Sequence, residues 1–89
     1  MASDEEIFTF LKGVLLNFLD VEEDSITTDA QIADLKMESL DFVELQVELE
    51  KNYKVKVRPA VFASGEVKTM GDFVSHIQRL LLEHNAAHA

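Results

Sequence analysis

The chain predicts an all-α fold, a four-helix bundle of three longer helices and one short one, and three observations carry that expectation. Apolar residues recur at helical intervals in three separate stretches, and the first and last of these are headed by capping-box spacings. Only three glycines and one proline interrupt 89 residues, which leaves few breaks for a sheet of several hairpins. At this length the chain is one domain, and its core suffices only if the helical apolar faces meet in a single cluster.

The first helix is expected from about Asp4 to Leu19. Ser3 and Glu6 stand at capping-box spacing, and Ile7, Phe8, Leu11, Leu15, Phe18 and Leu19 follow at helical intervals. Residues 20–31 mix acids and hydroxyls around the isolated Val21 and Ile26, which reads as a long ordered loop that Ile32 and Leu35 close onto the core. A second helix begins at Ser39 and ends near Asn52. Residues 53–58 alternate like a strand, but no second strand is present to pair with them, so an extended connector is expected. Pro59 suits the start of a short helix over residues 60–63, and Gly65 suits its end. Thr69 and Asp72 give a capping-box-like head to the last helix, whose apolar side is Met70, Phe73, Val74, Ile77, Leu80 and Leu81. That helix is expected to fade into a flexible tail from about residue 85.

The second helix carries one apolar stripe too many. At about 100° per residue, Phe42, Leu45, Leu49 and Tyr53 share one side and Leu40, Val43 and Val47 the other, with Asp41, Glu44 and Glu48 between. The first stripe serves the core, together with Phe8, Leu11, Leu15, Phe62, Phe73 and Ile77. The second either packs inside an enveloped helix or is offered to a partner as an apolar centre with an acidic rim. Ser39, at the head of this helix, reads on its residues alone as an N-cap; the same position favours an anionic group attached to its hydroxyl.

Eight basic against 17 acidic residues leave a net charge of −9, with −12 in residues 1–50 and +3 in residues 51–89. An acidic surface repels nucleic acid and anionic lipid and favours steering by basic protein surfaces. The absence of cysteine excludes a disulfide, a protein thiolate nucleophile and a cysteine zinc site. No apolar run approaches the roughly 20 residues of a membrane span. The acidic opening segment is unlike a secretory signal, so no membrane insertion and a cytoplasmic location are expected. Asp20, Glu22 and Asp24 begin like a calcium loop, but Ser25 and Gln31 occupy the positions of its glycine and bidentate glutamate. His84 and His88, one turn apart, lack a third ligand, so no metal site is expected.

The segment Leu35-Lys36-Met37-Glu38-Ser39-Leu40-Asp41-Phe42-Val43-Glu44-Leu45 resembles the Asp-Ser-Leu signature of acyl carrier proteins. Glu38 replaces the aspartate, and Lys36 the glycine common two residues before it. Residues 67–74 are similar to the start of the family's last helix. The resemblance implies a stand-alone carrier whose Ser39 bears covalent 4′-phosphopantetheine, placed there by a phosphopantetheinyl transferase. It also implies that Glu38, Leu40, Asp41, Val43, Glu44, Val47 and Glu48 meet synthases, reductases, dehydratases or acyltransferases through basic patches. The expected protein is no enzyme but a monomeric carrier of acyl thioesters in fatty-acid or polyketide-like biosynthesis. Glu38 and the acid-free short helix leave room for a specialised pathway. An aminoacyl or peptidyl carrier, and a non-covalent helical adaptor in which Ser39 is only a cap, are the alternatives.

Overall fold

The computed structural model describes residues 3–87. Four helices follow in chain order: α1 (Asp4–Phe18), α2 (Ser39–Tyr53), α3 (Ala60–Ala63) and α4 (Met70–Ala87). Among the described residues there is no paired strand beyond one isolated bridge between Gln31 and Thr69. The bundle expected from periodicity is the fold observed. No helix among the described residues is long and apolar enough to cross a membrane.

α1 and α4 each start where first-turn amides find acceptors. The Ser3 hydroxyl accepts from the Glu6 amide at 3.1 Å, and Asp4, Glu5 and Glu6 place negative charge at the positive end of α1. At α4 the box is reciprocal: Thr69 Oγ1 accepts from the Asp72 amide at 3.0 Å, and Asp72 Oδ2 accepts from the Lys68 and Thr69 amides at 3.1 Å. Those backbone donors, Thr69 before Lys68, hold the Asp72 carboxyl below its ordinary pKa. α1 ends one residue short of Leu19, which caps it by donating its amide to the Leu15 carbonyl at 2.8 Å. α4 keeps helical backbone to Ala87, beyond the residue at which its apolar period lapses. His88, one of the two tail histidines, lies outside the described residues.

The core takes Ile7, Leu11, Val14 and Leu15 from α1, Leu45 and Leu49 from α2, and Met70, Phe73, Val74 and Ile77 from α4. α1 packs against both of the other long helices. Phe8, Phe42 and Phe62, expected inside, are half-buried at the edge of this cluster, and so are Leu80 and Leu81. Val55 and Val57 are buried in the connector while Lys54, Lys56 and Arg58 between and after them are exposed, so its strand-like alternation anchors an unpaired segment.

The long connection between α1 and α2 contains two 3-10 turns, Glu23–Ser25 and Ile32–Leu35, and is stitched to the head of α4. The Ile32 amide donates to the Lys68 carbonyl at 2.8 Å, the Met70 amide to Ala30 at 3.0 Å and the Gly71 amide to Thr28 at 2.8 Å. A side chain at Gly71 would begin 3.2 Å from the Thr28 carbonyl oxygen, tighter than an ordinary van der Waals contact, so this close approach favours a residue without one. Ile26, Ile32 and Leu35 sink into the core along the way. The segment leading to Ser39 is therefore fixed by α4, far away in sequence.

Candidate functional site

Ser39 is the first residue of α2 but not its cap. Glu38 holds the N-cap position in extended backbone and forms a capping box with Asp41, whose Oδ2 accepts from the Glu38 amide at 2.8 Å. The Glu38 carbonyl accepts from the Asp41 and Phe42 amides at 3.0 and 3.2 Å. The capping role that the residues alone suggest for Ser39 is thus taken by its neighbour. Its hydroxyl is exposed and makes no hydrogen bond among the described residues, and the amides of Ser39 and Leu40 likewise find no acceptor there. An anionic group esterified to Ser39 Oγ would meet two free donors and the positive end of the α2 dipole. The exposed Glu38 carboxylate opposes it in part; the Asp41 carboxylate is occupied by a backbone donor.

The chain before Ser39 turns sharply at Lys36, which has φ 54° and ψ 44°. A left-handed conformation costs a side-chain-bearing residue roughly 1–2 kcal/mol, and glycine would hold it more cheaply. Lys54 repeats the conformation at the C-terminal end of α2.

Beyond Ser39 the two stripes of α2 separate as the spacing predicts. Leu45 and Leu49 are buried, with Phe42 and Tyr53 half-buried beside them. On the other side Leu40 is 75% exposed, Val43 52% and Val47 47%. No described residue covers that stripe, so the enveloped-helix alternative fails. Glu44 is exposed and Glu48 half-buried, and both line a shallow cleft with Val14, Asn17 and Phe18 of α1. The sequence-predicted residues therefore form one continuous face: Ser39 at its head, an exposed apolar line, and an acidic edge.

Behind that face, Phe42, Phe62 and Phe73 form a chain of ring contacts. The Phe42 and Phe62 centroids are 4.9 Å apart, and Phe73 meets Phe62 edge-on at 5.3 Å. The narrow space between these rings, Leu45, Leu49, Val57 and Pro59 is about 10 Å³. On the outer side of Phe42 and Phe62 runs an open groove of about 220 Å³, bounded by Ile32, Lys36 and Met37 before Ser39 and by Val67 and Lys68 before α4. Sequence reading missed this groove because three elements distant along the chain build it; the one local signal was Lys36 at a glycine-like position.

A second polar cluster braces the loop that follows α3. Arg79 Nη2 donates to Glu66 Oε1 at 3.0 Å and to His76 Nδ1 at 3.1 Å. His76 is the one polar side chain among the buried described residues. Burial, then the Arg79 charge, lowers its pKa, which fits a neutral ring accepting at Nδ1. Among the described residues no three histidine, aspartate or glutamate side chains gather as metal ligands.

Comparison with known proteins agrees with this geometry. The profile of the phosphopantetheine attachment site matches residues 9–77. The chain is similar to the acyl carrier protein of Thermotoga maritima, 40% identical over 82 residues that span 91% of this chain and 99% of the relative. It is also similar to the acyl carrier protein of Borreliella burgdorferi, 35% identical over 77 residues (85% and 94%), and to that of Rhodococcus erythropolis, 34% identical over 82 residues (91% and 88%). On the profile match, these relatives and the helical bundle together, the chain belongs to the acyl carrier protein family.

Proposed function

We propose that Ser39 is the attachment point of the family's 4′-phosphopantetheine and that the exposed face of α2 is the address read by partner enzymes. The chain is a carrier, not a catalyst. The arm supplies a terminal thiol, which this cysteine-free sequence lacks, and acyl groups travel on it as thioesters. Ser39 needs no base of its own, because a phosphopantetheinyl transferase performs the attachment. The observation that carries the assignment is the free, exposed hydroxyl at the first position of α2, beside two unpaired amides.

The rest of the face has a division of labour. Leu40, Val43 and Val47 offer an apolar centre, and Glu38, Asp41, Glu44 and Glu48 an acidic rim, which suits basic patches on the transferase and on synthases, reductases, dehydratases or acyltransferases. Charge-steered, short-lived encounters let one monomeric cytoplasmic carrier visit several enzymes of a fatty-acid or polyketide-like pathway. Intact-mass measurement of the protein from its native cells tests the assignment. A phosphopantetheine adduct that maps to Ser39 and disappears in Ser39→Ala is expected; a native protein that never carries it overturns the proposal.

A further inference from the structure

Beyond the carrier reading, we propose that residues 54–58 form a second docking surface, opposite in sign to the α2 face, which takes an extended acidic segment of a partner protein by pairing its alternate carboxylates with Lys54, Lys56 and Arg58.

The charge here runs against the rest of the molecule. Residues 51–58 hold four of the chain's eight basic residues, Lys51, Lys54, Lys56 and Arg58, and no acid falls between Glu50 and Glu66. All four are exposed, and none forms an ion pair among the described residues, where the two pairs are Lys12–Glu23 and Arg79–Glu66. Lys51 has a local use, since it lies in the last turn of α2 and meets the negative end of that helix. Lys54 caps the helix through its backbone amide, which leaves its side chain uncommitted, and Lys56 and Arg58 lie past the helix end. On a chain with a net charge of −9, these unpaired cations concentrate positive potential at one place.

The backbone gives the shape of the ligand. Val55 and Val57 are buried in the core cluster while Lys54, Lys56 and Arg58 are exposed, a period of two that holds the segment down on one side and turns its basic residues to solvent on the other. No backbone group of residues 55–57 has a hydrogen-bond partner among the described residues, so the segment is a strand without a neighbour. Lysine on such an edge ordinarily turns other strands away. A segment with acids at alternate positions is the exception, because its carboxylates recur at the same spacing of about 6.6–6.8 Å and fall opposite the basic residues as cross-strand pairs. A second copy of this chain fits less well, since the acids of its α2 face follow helical spacing and it brings a net charge of −9 of its own. An anionic lipid surface meets the same repulsion and offers charge without the spacing.

The test titrates the 15N-labelled full chain with synthetic peptides: one in which glutamate alternates with threonine, one of the same composition with its glutamates contiguous, and one with glutamine in place of glutamate. The alternating peptide is expected to shift the amides of residues 54–58 and to bind several-fold more tightly than either control, while the amides of Leu40, Val43 and Val47 stay in place. Replacing Lys54→Gln, Lys56→Gln and Arg58→Gln together removes that preference and leaves the rest of the spectrum unchanged. Lys56→Glu with Arg58→Glu transfers it to a peptide in which lysine alternates with threonine. Equal binding of the first three peptides, or shifts centred away from residues 54–58, overturns the inference. So does tighter binding to phosphatidylglycerol vesicles than to the alternating peptide, which would make the surface a lipid contact, or self-association of the parent that the triple variant loses, which would make a second copy the occupant.

Discussion

At Lys36 the backbone reverses into left-handed geometry three residues ahead of Ser39, and it does so with a side chain that has to be accommodated there. Replacing it with glycine removes the Cβ conflict at the cost of a looser unfolded chain, so Lys36→Gly is expected to stabilise the fold by about 0.5–1 kcal/mol. Urea unfolding measures this directly, through a higher midpoint at unchanged slope. An unchanged or lower midpoint would show that the lysine stem repays its conformation through contacts. Ser39 was legible as the first residue of α2, but the capping role that the residues alone assign to it falls to Glu38. The box here is spelled Glu38 to Asp41, a carboxylate at both ends, and the serine between them is left with nothing to hold. A capping rule that looks first for a hydroxyl assigns the job one residue late.

Among the elements, α1 and α4 were legible because their signals are local: a capping residue, then apolar positions three and four apart. The 3-10 turn over Ile32–Leu35 was not, because the bonds that fix it come from Lys68 and the head of α4. α4 carries a further dependence that periodicity cannot express. His76 on its buried side accepts from Arg79, which also holds Glu66, so one guanidinium ties α4 to the loop behind α3. Arg79, Glu66 and Glu83 act on the ring by charge, and Asp72 lines the same cleft. Its folded pKa lies below the ordinary 6.5, so the unfolded chain takes up the proton first. Stability from this contact is present above pH 6.5 and declines as the pH falls from there through the folded value. The denaturation midpoint of the parent protein is expected to drop between pH 7 and pH 5 more than that of His76→Gln, which keeps an acceptor near Arg79 but does not titrate. Parallel curves for the two proteins would remove His76 from the account.

Over the whole molecule, the sequence divides its charge into −12 over residues 1–50 and +3 over residues 51–89. Glu38, Asp41, Glu44 and Glu48, all within the acidic first 50 residues, rim an α2 face whose apolar line no described residue covers, and that pairing of an apolar centre with a charged rim assigns different kinetic roles to neighbouring residues. Glu44 is exposed and makes no ion pair among the described residues, so it contributes to the field that a basic partner meets on approach. Leu40, 75% exposed, contributes only once water has left the interface. For attachment by a phosphopantetheinyl transferase, Glu44→Lys is expected to reduce kcat/KM by about tenfold at low ionic strength, and by far less near 0.5 M salt, where screening acts within about 4–5 Å. Leu40→Ala should reduce it at every salt concentration, because burial of apolar surface does not depend on screening. Both variants alter exposed positions, so their unfolding free energies should stay within about 0.5 kcal/mol of the parent. Initial rates of adduct formation across a salt series separate the two effects. A Glu44→Lys protein modified as fast as the parent at low salt would mean that the acidic rim does not steer the transferase, and a Leu40→Ala defect that vanished with added salt would mean that the apolar line is not its contact.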